Sequence, residues 1–183
     1  LVDKAETKVI TSYNIDGSVI SPVKSAIVDY TYSEIVGSVG KLLAATETQH
    51  AQTKSTDLFA NWTTTEVINT YYVILGKALV DKAETRVITS YNIDGSVISP
   101  VKSAIVDYTY SEAVGSVGKL LAATETQHAQ TKSTDLFANF TITEVINTYY
   151  VIMGKALVDK AETRVLTSYN IDGSVISPVK SAI

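Results

Sequence analysis

Cysteine is absent from the sequence, and proline and glycine are scarce, with three prolines and nine glycines in 183 residues. Without cysteine the chain cannot form disulfides, bind zinc through thiolates or use a thiol nucleophile. Long apolar runs are also absent, because the run at 71–75 is only five residues long, whereas a membrane-spanning helix needs about 20. We therefore expect no membrane insertion.

The charge balance is mildly acidic. Fifteen Lys and Arg residues stand against 19 Asp and Glu residues, so the net charge is -4. Because the basic residues form no patch, we expect no nucleic-acid partner. Apolar residues make up 45% of the chain, as in proteins with a packed core and unlike disordered chains.

A tandem repeat is the strongest feature of the sequence. When the sequence is shifted by 78 positions it matches itself, and residues 1–78 and 79–156 differ at only five positions. The same segment begins a third time at Leu157. We therefore predict repeat unit 1 (1–78), repeat unit 2 (79–156) and a partial repeat unit 3 (157–183).

Local signals in each unit favour a first helix over 22–45. Ser21 is a good helix N-cap, and Pro22 suits the first helical position. Apolar residues then recur at helical spacing as far as Ala45.

A second helix is predicted over 66–93. Thr63 and Glu66 have the spacing of a capping box, and the apolar residues that follow recur every three or four positions as far as Tyr91. The predicted fold is therefore mainly α, with each unit forming a helical hairpin or a three-helix bundle.

A β-rich tandem repeat is the alternative. Val, Ile and Thr are abundant and favour strands, and residues 8–23 have the pattern of a hairpin closed by Asp16-Gly17. The scarcity of proline and glycine argues against this alternative, because a β-sandwich needs frequent turns.

On the helical interpretation, Leu1 and Ile183 both interrupt a helix. We therefore expect the 183 residues to be part of a longer array. Because no Pro/Gly/Ser-rich linker separates the units, we also expect successive units to abut as a rod or filament.

Residues that could carry chemistry are few. His50 and His128 have no catalytic partners nearby in sequence, and the segment 14–18 lacks the glutamate that ends a calcium-binding loop. We predict no catalytic residue, no cofactor, no metal site and no enzymatic activity. Asn61 and Asn139 begin Asn-X-Thr tripeptides and are candidate glycan acceptors.

Near-identical copies favour functions in which length or copy number is the useful property. We predict a structural protein, a segment of a longer self-associating fibre or filament that binds copies of itself outside the cell or at its surface. The alternative is a multivalent surface adhesin stalk or binding array. A cysteine-free array of this kind resembles fibre, silk-like and adhesin proteins as a class, without a motif diagnostic of one family.

Overall fold

The computed structural model describes residues 1–176, which form β-strands and contain no helix. The strands are β1 (Lys4–Thr7), β2 (Ser12–Tyr13), β3 (Val19–Lys24), β4 (Ala26–Tyr32), β5 (Leu42–Gln49), β6 (Ala51–Thr56), β7 (Trp62–Ile74), β8 (Lys77–Tyr91), β9 (Val97–Lys102), β10 (Ala104–Tyr110), β11 (Leu120–Gln127), β12 (Ala129–Thr134), β13 (Phe140–Ile152), β14 (Lys155–Tyr169) and β15 (Val175–Ile176). The mainly α prediction is therefore wrong, and the β-rich alternative is confirmed. Residues 177–183 of the predicted third unit lie outside the described part of the chain.

All of the described strand pairs are antiparallel, and the strands follow one another as a meander of three linked sheets, with the orders β1-β4-β5, β11-β10-β8-β7-β6-β3-β2 and β15-β14-β13-β12-β9. β3 and β4 form one long strand interrupted at Ser25, and β5 and β6 form another interrupted at His50. Together with β7 and β8 they give four long strands over residues 19–91, which we call the first copy. β9 to β14 repeat this arrangement over residues 97–169, which we call the second copy. Because the strands alternate in direction, their turns collect along two opposite edges of the sheet.

The second predicted helix is instead the hairpin of β7 and β8. Tyr72 pairs directly with Leu79, and the connecting residues Leu75 and Gly76 have φ angles of 47° and 74°. Positive φ at both central residues is typical of the two-residue turn whose twist matches that of paired strands. The three- and four-residue spacing of apolar residues crosses this turn, so it does not describe the face of one helix.

The first predicted helix is replaced by β3, β4 and the start of β5. Pro22 lies within β3, and the register with β6 shifts immediately after it, which is a bulge of the kind that tolerates a residue without an N–H. Gly37 and Gly40 lie in the turn at 33–41 with φ angles of 91° and 82°. A helix requires negative φ, and glycine adopts these positive values without strain.

The Asp16-Gly17 turn of the β-rich alternative is present. Ser12 pairs with Ile20 across it, and Gly17 has a φ of 81°. Asp16 Oδ1 accepts hydrogen bonds from the Ser18 N–H at 2.9 Å and from its hydroxyl at 2.7 Å. The turn is therefore closed by its own side chains, as Asx turns are.

The sheet continues across the predicted unit boundary between residues 78 and 79, which the β7–β8 ladder spans, and it also continues from the first copy into the second. β8 pairs with β7 along its length, and its residues 82–85 also pair with residues 104–107 of β10 in the second copy. Further along β8, the Ser90 hydroxyl accepts the N–H of Ile98 at 2.6 Å and donates to its carbonyl at 3.1 Å. Main-chain and side-chain hydrogen bonds thus join the two copies without a linker.

The meander formed by residues 1–176 is open and has no central core. Long strands that make substantial contacts are at most two places apart in the order of the meander. The accessible surface is 11548 Å², whereas a compact protein of 19.7 kDa exposes about 8,600 Å². Such local contacts are characteristic of repeat proteins, whose units touch only their neighbours.

The most buried apolar side chains lie on the β4–β5 and β10–β11 hairpins, at equivalent positions of the two copies. They are Ala26, Val28, Leu42, Ala45, Val106, Leu120 and Ala123. Among residues 1–176, no residue as a whole is less than 2% exposed. Main-chain pairing and many half-buried side chains therefore stabilise the fold in place of one dense core.

Replacing Leu75 by asparagine should stabilise the β7–β8 hairpin. Leucine at positive φ is strained, asparagine tolerates this conformation, and the 78% exposed side chain loses little packing. We expect the free energy of unfolding to rise by about 0.5–1 kcal/mol in urea denaturation. Val36→Asn is the control, because Val36 is exposed at a turn without positive φ. If Val36→Asn raised the free energy of unfolding by the same amount, the positive φ of Leu75 would not be the cause of the gain.

Candidate interaction surfaces

Glu47 holds β5 to β7 where these two strands form no ladder. Its side chain is only 1% exposed, and its Oε2 accepts the backbone N–H of Asn69. His50 Nδ1 lies 3.6 Å from the same oxygen. The carboxyl group thus replaces a main-chain acceptor, because a buried N–H needs a partner.

The second copy repeats this clamp. Glu125, also 1% exposed, accepts the N–H of Asn147, and His128 Nδ1 lies 3.2 Å from its Oε2. The side chains of His50 and His128 are 36% and 37% exposed beside these buried acids.

A cavity of about 350 Å³ lies beside the first clamp, lined by Glu47, His50, Asn69 and Tyr71 among others. Burial raises the pKa of Tyr71, and the nearby Glu47 carboxyl adds to the increase. Glu47 Oε1 has no hydrogen-bond partner. In the second copy the equivalent oxygen accepts a bond of 3.4 Å from the Asn147 amide, so the clamp can be satisfied without a ligand.

A second cavity, of about 370 Å³, lies at the boundary between the copies. Val87 lines it from the β8 side, and Pro100, Val106, Val145 and Tyr149 line it from the second copy. Because both copies form its wall, this groove exists only where two units adjoin.

The candidate glycan acceptors lie in equivalent turns and use both ends of their side-chain amides. Asn61 Nδ2 donates to Asp57 Oδ2 at 2.8 Å, and its Oδ1 accepts the Ile93 N–H at 2.8 Å. Asn139 makes the same two bonds, to Asp135 and Ile171, at 2.7 and 2.8 Å. Glycosylation at Asn61 and Asn139 stays a prediction.

One edge of the meander, which we call the acidic edge, consists of five turns that follow strands of one direction. They cover residues 14–18, 57–61, 92–96, 135–139 and 170–174. Each contains one aspartate and none contains lysine or arginine. Seven of their apolar side chains are at least 68% exposed: Ile15, Leu58, Phe59, Ile93, Leu136, Phe137 and Ile171.

The opposite edge, which we call the basic edge, consists of four turns and the lysines that follow them. The turns cover residues 33–41, 75–76, 111–119 and 153–154, and the edge carries Lys41, Lys77, Lys119 and Lys155 with only two acids, Glu34 and Glu112. Its most exposed apolar side chains are Val36, Leu75, Val114 and Met153, at 78% or more.

The number of exposed apolar side chains on these two edges is higher than is usual for the turns of a monomeric protein. Isolated exposed apolar residues are ordinary, but contiguous ones mark interaction sites. Fully burying one Leu, Ile or Phe side chain contributes roughly 1.5–3 kcal/mol, so a row of them is energetically significant.

Sequence reasoning missed the basic edge because it placed residues 33–41 and 75–76 in helices. It missed the acidic edge because, without the strand order, it could not place the turns at 14–18 and 57–61 side by side. A usable signal was present in the two-residue step Leu75-Gly76, which separates two β-rich runs and fits a tight hairpin. Another was Asp57 to Asn61, where Asx-type residues bracket a short apolar segment.

Within residues 1–176, no three His, Asp or Glu side chains are grouped to hold a metal ion. In the same residues, no helix is long and apolar enough to cross a membrane. Comparison with family profiles, curated proteins and solved structures finds no match for the chain.

Removing the Glu47 carboxyl should destabilise the protein. Glu47→Ala leaves the half-buried N–H of Asn69 without its acceptor, which costs about 1–3 kcal/mol of unfolding free energy. The matched control is Glu34→Ala at an exposed turn, which should change stability by less than about 0.5 kcal/mol. Equal effects of the two substitutions in urea denaturation would show that Glu47 is no clamp.

Acid should weaken the sheet through Glu66. Hydrogen bonds from Gln52 and from Arg86 lower the pKa of Glu66 from its ordinary value of 4.5. A lowered folded-state pKa stabilises the protein above the unfolded-state pKa, and this stability is lost as the pH falls through the folded-state value.

Thermal unfolding at a series of pH values tests this link. We expect the melting temperature to fall as the pH drops below 4.5, and Glu66→Gln should make this fall shallower. Asp3→Asn is the control, because Asp3 is exposed near the start of the chain. If Glu66→Gln and Asp3→Asn have the same profile, Glu66 does not contribute to the pH dependence.

Proposed function

We propose that this chain belongs to a tandem β-repeat array that acts as a surface adhesin stalk or multivalent binding array outside the cell. The observation that carries the proposal is the ladder between residues 82–85 of β8 and residues 104–107 of β10. This ladder extends one antiparallel sheet from the first copy into the second.

A stalk needs units that add length without folding onto one another. The described strands contact only near neighbours in the meander, so an added unit extends the sheet and leaves earlier units unchanged. The cross-copy ladder also restricts hinge motion, because bending at the boundary would break main-chain hydrogen bonds.

A binding array needs the same surface in every unit. The Glu47 clamp recurs at Glu125, and the turn at 57–61 recurs at 135–139 with the same hydrogen bonds. Identical surfaces at fixed spacing convert weak single contacts into strong multivalent binding. This repetition supports the proposal that the chain is part of a stalk or binding array outside the cell.

Small-angle X-ray scattering on chains of different length tests the proposal. The samples are the 183-residue chain and chains with one and two more copies of residues 79–156 inserted. Each copy adds four strands, so the maximum dimension should grow by up to about 19 Å per copy, at about 4.8 Å per strand.

The competing result is growth of the radius of gyration with roughly the 0.38 power of chain length, as in compact domains. That outcome would show units packing into one globule and would overturn the stalk proposal. Measurements at low protein concentration keep contacts between chains from adding to the dimensions.

A further inference from the structure

We infer that the acidic edge of one chain docks on the basic edge of a second copy, so that neighbouring arrays associate side by side. This inference does not depend on the stalk function, because it concerns contacts between chains and not the shape of one chain. Four observations support it: preformed turns, opposite charge, a shared period and exposed apolar tips.

The turns of the acidic edge are held in a row by contacts between them. Leu58 packs against Gly17, where a Cβ would lie only 2.4 Å from Leu58 Cδ2. The same turn reaches the next one through Asn61 Oδ1, which accepts the Ile93 N–H at 2.8 Å. Leu136 repeats the first contact on Gly95. A surface ordered in advance loses less entropy on binding.

The acidic edge keeps its negative charge at neutral pH. In the turns at 14–18, 92–96 and 170–174, hydrogen bonds from the serine lower the pKa of Asp16, Asp94 and Asp172. In the other two turns, hydrogen bonds from the asparagine side chain lower the pKa of Asp57 and Asp135. The edge therefore presents a line of carboxylates beside its apolar tips.

The basic edge offers the complementary charge. Its lysines, Lys41, Lys77, Lys119 and Lys155, are all exposed, and none has an ion pair among the described residues. Electrostatic complementarity favours pairing of unlike edges and opposes pairing of an edge with its own kind.

The two edges also have the same period, because the same four strands per unit produce the turns on both sides. When one acidic-edge turn meets a basic-edge turn, the other turns of the two copies can meet in register. A second copy of the chain has this spacing built in. An anionic membrane has no such spacing, and the carboxylates of the acidic edge would be repelled by it.

Unlike edges form a heterologous contact, which leaves one free edge on each outer chain. Association is therefore open-ended, and chains can add on both sides to form a lateral sheet of arrays. The apolar tips Ile15, Phe59 and Ile93 on one edge then pack among Val36, Leu75 and Val114 on the other.

A complementation experiment tests the pairing. The acidic-edge variant carries Ile15→Ser, Ile93→Ser and Ile171→Ser, and the basic-edge variant carries Val36→Ser, Leu75→Asn, Val114→Ser and Met153→Asn. Sedimentation velocity compares each variant, their equimolar mixture and the unchanged chain. Circular dichroism and thermal unfolding confirm that each variant is folded.

We expect the unchanged chain to associate as its concentration rises, and each variant alone to associate at least tenfold more weakly. The mixture should form a one-to-one dimer, because each variant keeps the edge that the other lacks. High salt should weaken this dimer, since exposed charges are screened.

Other outcomes would overturn the inference. Self-association of either variant as strongly as the unchanged chain would show that an edge pairs with itself or that neither edge is used. If the unchanged chain stays monomeric at about 0.5 mM, a concentration at which an association with a Kd below about 1 mM would be visible, the edges do not bind each other. Binding to neutral phosphatidylcholine vesicles without association of chains would assign the apolar tips to lipid.

A second pair of variants keeps the test informative if the apolar substitutions disturb folding. Lys41→Glu with Lys119→Glu changes only exposed side chains on the basic edge and should weaken association at least tenfold. Lys24→Glu with Lys102→Glu is the matched control, because both lysines are exposed in the middle of long strands and lie away from both edges. If the control weakens association equally, net charge and not the basic edge is responsible.

Discussion

Main-chain hydrogen bonding between successive strands is the interaction on which the structure depends. Every strand must find partners for its N–H and C=O groups, and this chain uses strands that are close in sequence. The ladder between β8 and β10 is the same kind of contact as those within a copy, although it joins two copies. The boundary between repeats is therefore not a structural boundary, and the sheet can extend without a central core.

The repeat was predictable from the sequence, but its secondary structure was predicted wrongly. The apolar residues around Tyr72 and Leu79 recur at helical spacing, and they pair across a hairpin instead. Leu75-Gly76 distinguishes a helix from a hairpin, because a turn at these two residues divides the apolar pattern between two paired strands. The abundance of Val, Ile and Thr was the better guide, since β-branched residues favour the pleated sheet.

Surface features were harder to predict, because their meaning depends on where the turns fall. Ile15 and Phe59 look like core residues in the sequence but lie at turn tips, at 109% and 72% exposure. Differences between the copies fit this picture: Leu75 is replaced by Met153 at an exposed tip, and Phe140 keeps the aromatic stacking that Trp62 makes in the first copy. The buried clamp at Glu47 could not be predicted, since it follows from the separation of β5 from β7.

Native-state hydrogen exchange at the boundary between the copies tests the central claim most directly. If one continuous sheet joins the copies, the paired amides within residues 82–85 and 104–107 should exchange as slowly as the paired amides between β6 and β7. Fast exchange at 104–107 together with slow exchange within each copy would mean that the copies are separate folded units, and the account of a continuous β meander would be wrong.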